Sequence, residues 1–135
     1  MSAHGSPRTE DETHAGILDE EHLTHMTLGD RRLEREVLEI FVRQSADTLD
    51  VIRDCVAGRE LAGTAAAAHA MIGSARAIGA RRMTQAAERV ERAADAGNEQ
   101  ELDQAIAALV AASLEATATI VARLADPADR AADCA

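Results

Sequence analysis

Ala65-Ala-Ala-Ala-His69-Ala-Met-Ile-Gly73-Ser-Ala-Arg76-Ala-Ile-Gly79-Ala80 carries the strongest local pattern in this 135-residue chain. It sets one histidine among small residues. Ala and Met are strong helix formers, so the spacing predicts a helix over 60–78, with Gly79 at the position where helices commonly end. Leu61, Ala65, Ala68, Met71, Ile72, Ala75 and Ile78 recur at helical spacing and mark a buried face. At about 100° per residue, His69 falls at the edge of that face and turns toward solvent. Gly73 follows one turn later on the same side, and Arg76 one turn after that. A glycine inside a helix costs roughly 0.5–1 kcal/mol relative to alanine, so Gly73 needs a reason. Either it keeps the surface low around the imidazole, with Ala66 and Ala70, or it lets a neighbouring helix pack closely. Spacing alone leaves both open.

Working outward, the composition points to helices. Hydrophobic residues make up 47% of the chain, yet Phe41 is the single aromatic residue and there are only two prolines. A core of Leu, Ile, Val, Met and many Ala suits closely packed helices and offers little to a deep ligand pocket. The length fits one domain with tails. The net charge of −10 argues against nucleic acid or an anionic membrane surface as a partner. Cys55 and Cys134 form no metal or redox pair motif and suit a reducing, cytoplasmic setting. No apolar leader and no transmembrane run are expected.

Residues 1–16 are polar and acidic and are expected to be a disordered tail, with His4 and His14 as solvated spectators. Asp19 is the expected N-cap of a short helix over 19–28, packed by Leu18, Leu23 and Met26 across one end of a bundle. His22 and His25 stand three apart, a spacing that can chelate a metal, but only Glu21 is nearby as a third ligand. Gly29-Asp30 breaks the chain before a helix over 31–56, whose stripe is Leu38, Phe41, Val42, Ser45, Leu49, Ile52 and Val56, with Gly58 as its stop. After the histidine helix, a helix over 80–97 buries Met83, Ala86, Ala87, Val90 and Ala94. Asn98 and Glu101 form a capping pattern for a last helix running to 125, ended by Asp126-Pro127. Its inner face is Leu102, Ala105, Ile106, Leu109, Ala112, Ser113, Ala116, Ile120 and Leu124. Short glycine-containing loops make the long helices antiparallel neighbours. The expectation is an all-α fold: an antiparallel up-down four-helix bundle over 17–126, with the short N-terminal helix crossing one end and a tail over 127–135. With no apolar helix face left exposed, a monomer is expected.

His69-x-Met71-x-Gly73-Ser74-Ala75-x-x-Ile78-Gly79-Ala80 resembles the signature of histidine phosphotransfer (HPt) domains, carriers in multistep two-component phosphorelays. The resemblance implies that His69 is the phosphoryl acceptor and donor, with Gly73, Ser74 and Arg76 in support. It implies that Glu91 hydrogen-bonds the imidazole and fixes its tautomer. It also implies partners: receiver domains of a hybrid histidine kinase and/or a response regulator. The family's basic residue three positions after the histidine is Ile72 here, and the chain holds no lysine. Arg76 is the arginine placed to supply that charge, and Ile72 with Ala66 would form an apolar rim.

A phosphate-binding glycine loop and an acidic metal cluster at motif spacing are both missing, so the chain reads as a phosphocarrier rather than an enzyme. It would bind no cofactor of its own, and Mg²⁺ would come with the receiver. Two other readings compete: a receiver-docking module that regulates without phosphotransfer, because Ile72 replaces the basic residue, and a helical metal-binding or oligomerisation domain using His22 and His25.

Overall fold

The computed structural model describes residues 17–125. The expected tails over 1–16 and 127–135, with His4, His14 and Cys134, lie outside the described residues. Among the described residues five helices follow one another: α1 Glu20–Met26, α2 Arg31–Ala57, α3 Leu61–Ala77, α4 Arg81–Ala96 and α5 Glu99–Leu124. The described residues contain no strand.

The capping chemistry fixes the starts. Asp19 accepts from the His22 N–H at 3.1 Å, Asp30 from the N–H groups of Arg32 and Leu33, and Asn98 from the Glu101 N–H at 3.1 Å. Each bond satisfies a donor that the first helical turn leaves without a partner. The stops differ from one another. Gly79 takes φ +75° and Gly97 φ +68°, the left-handed geometry that glycine adopts without a Cβ clash. At the end of α2, however, Gly58 keeps φ −86° and Arg59 carries the left-handed φ of 57°. Gly58 is the C-cap, as expected, and the left-handed residue follows one position later. The Glu60 N–H reaches the Cys55 carbonyl at 2.8 Å and closes the turn around a strained arginine.

Side-chain contacts give the directions of the helices. Position 63 of α3 lies against Cys55 of α2, while the other end of α3 meets the first half of α2. Arg76 reaches Glu88 and His69 reaches Glu91, so α4 runs back along α3. Arg82 pairs with Glu115 and Arg89 with Glu101, which reverses α5 against α4. Arg123 binds Glu34 and so brings the last turn of α5 to the first turn of α2. The four long helices thus alternate in direction around a core that includes Leu38, Ile52, Met71, Ile78, Met83, Val90, Leu109 and Ile120. α3 packs on α2 and α4, and α5 takes the diagonal position. The Ser113 hydroxyl is buried within this core with no hydrogen-bond partner.

α1 lies across the end where α2 starts and α3 stops. The Asp19 N–H donates to the Gly79 carbonyl at 3.0 Å, and Arg123 reaches Glu20 at 2.7 Å. Leu18 and Leu23 are buried here, but Met26 is 37% exposed and does not join the packing expected of it. Arg123 sits between two acids. Burial alone would lower its pKa; the hydrogen bonds and charges of Glu34 and Glu20 outweigh burial and raise it.

Two expectations about apolar surface are corrected. Ile72 is 5% exposed and belongs to the core, so it forms no rim around the site. α5 is apolar on both sides: its inner residues fill the core, while Leu114 and Val121 face out. By length and composition α5 alone would satisfy a membrane span, yet Leu102, Ala105, Leu109, Ala116 and Ile120 are buried in the bundle.

Candidate functional site

α3 begins at Leu61 without a side-chain cap and ends in a tightly bonded turn: the Ala80 N–H reaches the Ala75 carbonyl at 2.9 Å, and the Gly79 N–H reaches Arg76 at 3.2 Å. Its buried side, Ala65, Ala68, Met71, Ile72 and Ala75, fixes the helix rotation. That rotation leaves His69 on the outside, its side chain 75% exposed. Ala66, Ala70 and Gly73 around it are exposed too. A Cβ built on Gly73 would meet nothing within 4 Å. No neighbouring helix presses on this glycine, so of the two reasons open for Gly73 only the low surface beside the imidazole remains.

α4 supplies the partners. His69 Nδ1 lies 3.0 Å from Glu91 Oε2. A carboxylate offers only acceptors, so the bond requires a proton on Nδ1 and leaves Nε2 of the neutral ring with a free lone pair. One turn away, Arg76 Nη2 donates to Glu88 Oε2 at 3.0 Å. Arg76 is thus engaged with Glu88 rather than turned back on His69. Sequence reasoning did not assign Glu88 this part; the signal was its place three residues before Glu91 on one face of α4. Ser74 donates to the Ala70 carbonyl at 3.3 Å within its own helix. Ile72 is turned inward, so the described residues bring no basic side chain to the position the motif reserves for one.

Two further features border the site helix. Val37, Ile40, Phe41 and Gln44 of α2 form a shallow apolar trough with Ser74, Ala77 and Ile78 of α3. His22 Nε2 donates to the Ala77 carbonyl at 3.2 Å, tying α1 to the last turn of α3. Among the described residues no group of three or more His, Cys, Asp or Glu side chains is placed to hold a metal, and the pairing of His22 with His25 gains no third ligand.

The family model described as Hpt domain matches residues 36–125, more than half of the chain. The chain belongs to the Hpt domain family. The crystal structure of the HPT domain from the Hpt sensor hybrid histidine kinase of Shewanella is similar in fold, with a TM-score of 0.69 at 14% identity over 82% of this chain and 95% of that one. No curated protein matches the chain in sequence. Hpt domains are phosphocarrier modules of phosphorelays that meet receiver domains, and the helical bundle found here is the Hpt fold. Within this Hpt domain, the matched region takes in α3, α4, α5 and most of α2, and leaves α1 outside.

Proposed function

We propose that this Hpt domain relays a phosphoryl group through Nε2 of His69, between aspartates of receiver domains in a hybrid histidine kinase and/or a response regulator. The observation that carries the reading is the exposed imidazole bonded to Glu91 at 3.0 Å beside an open Gly73. The Nε2 lone pair attacks the phosphorus of an aspartyl phosphate. The N–P bond forms as the P–O bond to the aspartate breaks, and the carboxylate leaves with its electron pair. The ring becomes cationic, and the Glu91 carboxylate against Nδ1–H balances that charge. On return to a second aspartate the same steps run backwards. The transition state is loose, so the work is positioning and charge neutralisation. Mg²⁺ comes with the receiver, this chain binds no cofactor, and the setting is cytoplasmic. The apolar trough between α2 and α3 gives the receiver a surface beside His69.

The docking-module reading is favoured by a different observation: Ile72 is buried and Arg76 is held by Glu88, so neither of these two positions brings a cation to the ring. Incubation with a panel of phosphorylated receiver domains, followed by mass mapping, separates the two. A base-stable, acid-labile phosphate on His69, lost in His69→Ala, supports relay. Binding to a receiver with no transfer supports docking alone.

A further inference from the structure

From the Arg76–Glu88 pair we infer that Arg76 is the cation that holds the phosphoryl group once it is on His69, and that it arrives there by leaving Glu88. The inference deepens the relay reading and rests on it, since His69 must carry the phosphoryl group. Arg76 is the one arginine of α3. Seven residues make nearly two turns, so Arg76 lies within about 20° of His69 around the helix and about 10 Å farther along its axis. Side chains on a helix slant toward its N-terminus, so Arg76 leans over the intervening turn toward the imidazole. That turn holds Gly73, where a Cβ would meet nothing within 4 Å. The lane between the guanidinium and the ring is therefore clear. Glu88 marks how far the arginine already reaches. It stands three residues from Glu91 on α4, about 4.5 Å along that axis. Glu88 holds Arg76 Nη2 at 3.0 Å, and Glu91 holds His69 Nδ1 at 3.0 Å.

The charges say which way the arginine moves. The unmodified imidazole offers Arg76 no negative charge, while the Glu88 carboxylate accepts from it. Phosphorylation puts on Nε2 a group with close to two negative charges and three acceptor oxygens. Glu91 is already taken up at Nδ1, and Ile72 is turned into the core. A guanidinium gains by moving to the larger charge, because its fork bonds two of the oxygens at once. The bond it leaves is weak. The side chains of Arg76 and Glu88 are 67% and 34% exposed, so water screens the pair. Nor is Glu88 stranded: Arg92, exposed four residues on in α4, is in place to pair with it. On the phosphoryl oxygens the guanidinium balances the charge that drives the P–N bond apart through a loose transition state, so the phosphohistidine lives longer.

The test needs no receiver. Phosphoramidate phosphorylates the full chain directly: Nε2 of His69 forms the N–P bond as ammonia leaves. After the reagent is removed, phosphorus NMR follows the decay of the signal that is missing from His69→Ala. Arg76→Gln should shorten that lifetime roughly three- to fivefold, the scale of an exposed charge pair. Arg76→Lys should recover part of it, since the charge stays and the fork is lost. Arg81→Gln removes the same charge elsewhere on the surface and should leave the lifetime unchanged. Glu88→Gln frees the arginine, so its lifetime should equal or exceed that of the wild type. In nitrogen-15 NMR the Arg76 Nε signal should move when the wild type is phosphorylated and stay in place in His69→Ala. Circular dichroism checks that each variant keeps its helices. An Arg76→Gln lifetime equal to the wild type would overturn the proposal. So would equal shortening in Arg76→Gln and Glu88→Gln, which would mean that the intact pair matters rather than the freed arginine. An Arg81→Gln lifetime as short as that of Arg76→Gln would reduce the effect to net charge and overturn it as well. Receivers that fail to phosphorylate His69 would sink the relay reading alone, because the decay of chemically phosphorylated His69 is read without them.

Discussion

Glu91 Oε2 accepts from His69 Nδ1 at 3.0 Å, across from α4 to α3. The bond has a direct kinetic consequence. Glu91→Gln keeps an acceptor oxygen but loses the charge that balances the phosphorylated ring. Glu91→Ala loses both, and transfer to His69 should slow by roughly 10–100-fold, the usual penalty for removing a partner that orients a histidine. Single-turnover transfer from a phosphorylated receiver should rank wild type above Gln and Gln above Ala. Phosphorus NMR should place the phosphate on Nε2. Wild-type rates in the alanine variant would remove Glu91 from the mechanism.

Gly73 separates stability from docking. Its Cβ position is open, so Gly73→Ala should raise unfolding stability by about 0.5–1 kcal/mol. Gly73→Glu should leave the bundle folded and cut transfer at least tenfold, because a charged chain then stands one turn from the imidazole. Thermal melts and transfer assays on both variants decide it. A glutamate variant that relays normally contradicts the low-surface account.

Restoring a basic residue at position 72 should not help. Ile72 is 5% exposed, so Ile72→Lys removes a core side chain and forces the ammonium to snorkel out along its stem. The loss of packing should cost roughly 2–4 kcal/mol, within the range for deleting buried aliphatic groups. Urea unfolding measures that cost. The lifetime of phosphohistidine tests the companion expectation, which is no gain in retention. An unchanged midpoint would place the side chain outside the core.

Two of the left-handed turn residues should respond in opposite directions. At Gly79 a Cβ would come 2.6 Å from Asp19 Cβ, and φ is +75°. Gly79→Ala should therefore cost more than the ~1–2 kcal/mol of left-handed strain alone, and should loosen α1 from the end of α3. Arg59 already carries that strain at φ 57°. Arg59→Gly should stabilise the chain by up to about 1 kcal/mol, strain relief minus added freedom in the unfolded state. Denaturation midpoints together with amide exchange over residues 20–26 check both.

The sequence yielded the helices because their signals are local. Asp19, Asp30 and Asn98 cap the helices they were expected to cap, and the inner residues of α4 can be read from spacing. The orientation of His69 follows from the same arithmetic. What spacing cannot supply is the identity of a cross-helix partner. Arg76 had two acids within plausible reach on α4, and only the packed geometry assigns it to Glu88. Ile72 was read both as buried and as rim, since its position on the helix lies where the two faces meet. Gly58 stops α2 as its local signal suggests, but the left-handed residue at 59 depends on the bonding of Glu60 to Cys55 and is not readable from spacing.

The bundle's four seams are unequal. Those between α2 and α3, α3 and α4, and α4 and α5 join neighbours in sequence, and loop closure there is short. The α2–α5 seam has the thinnest packing of the four and joins the two ends of the fold, with Arg123 bonded to Glu34 across 89 positions. It is therefore the seam that closes last and opens first. A chain that opens there keeps α3 on α4, and with it His69 on Glu91, so the phosphoryl site should outlast the bundle's first loss of structure.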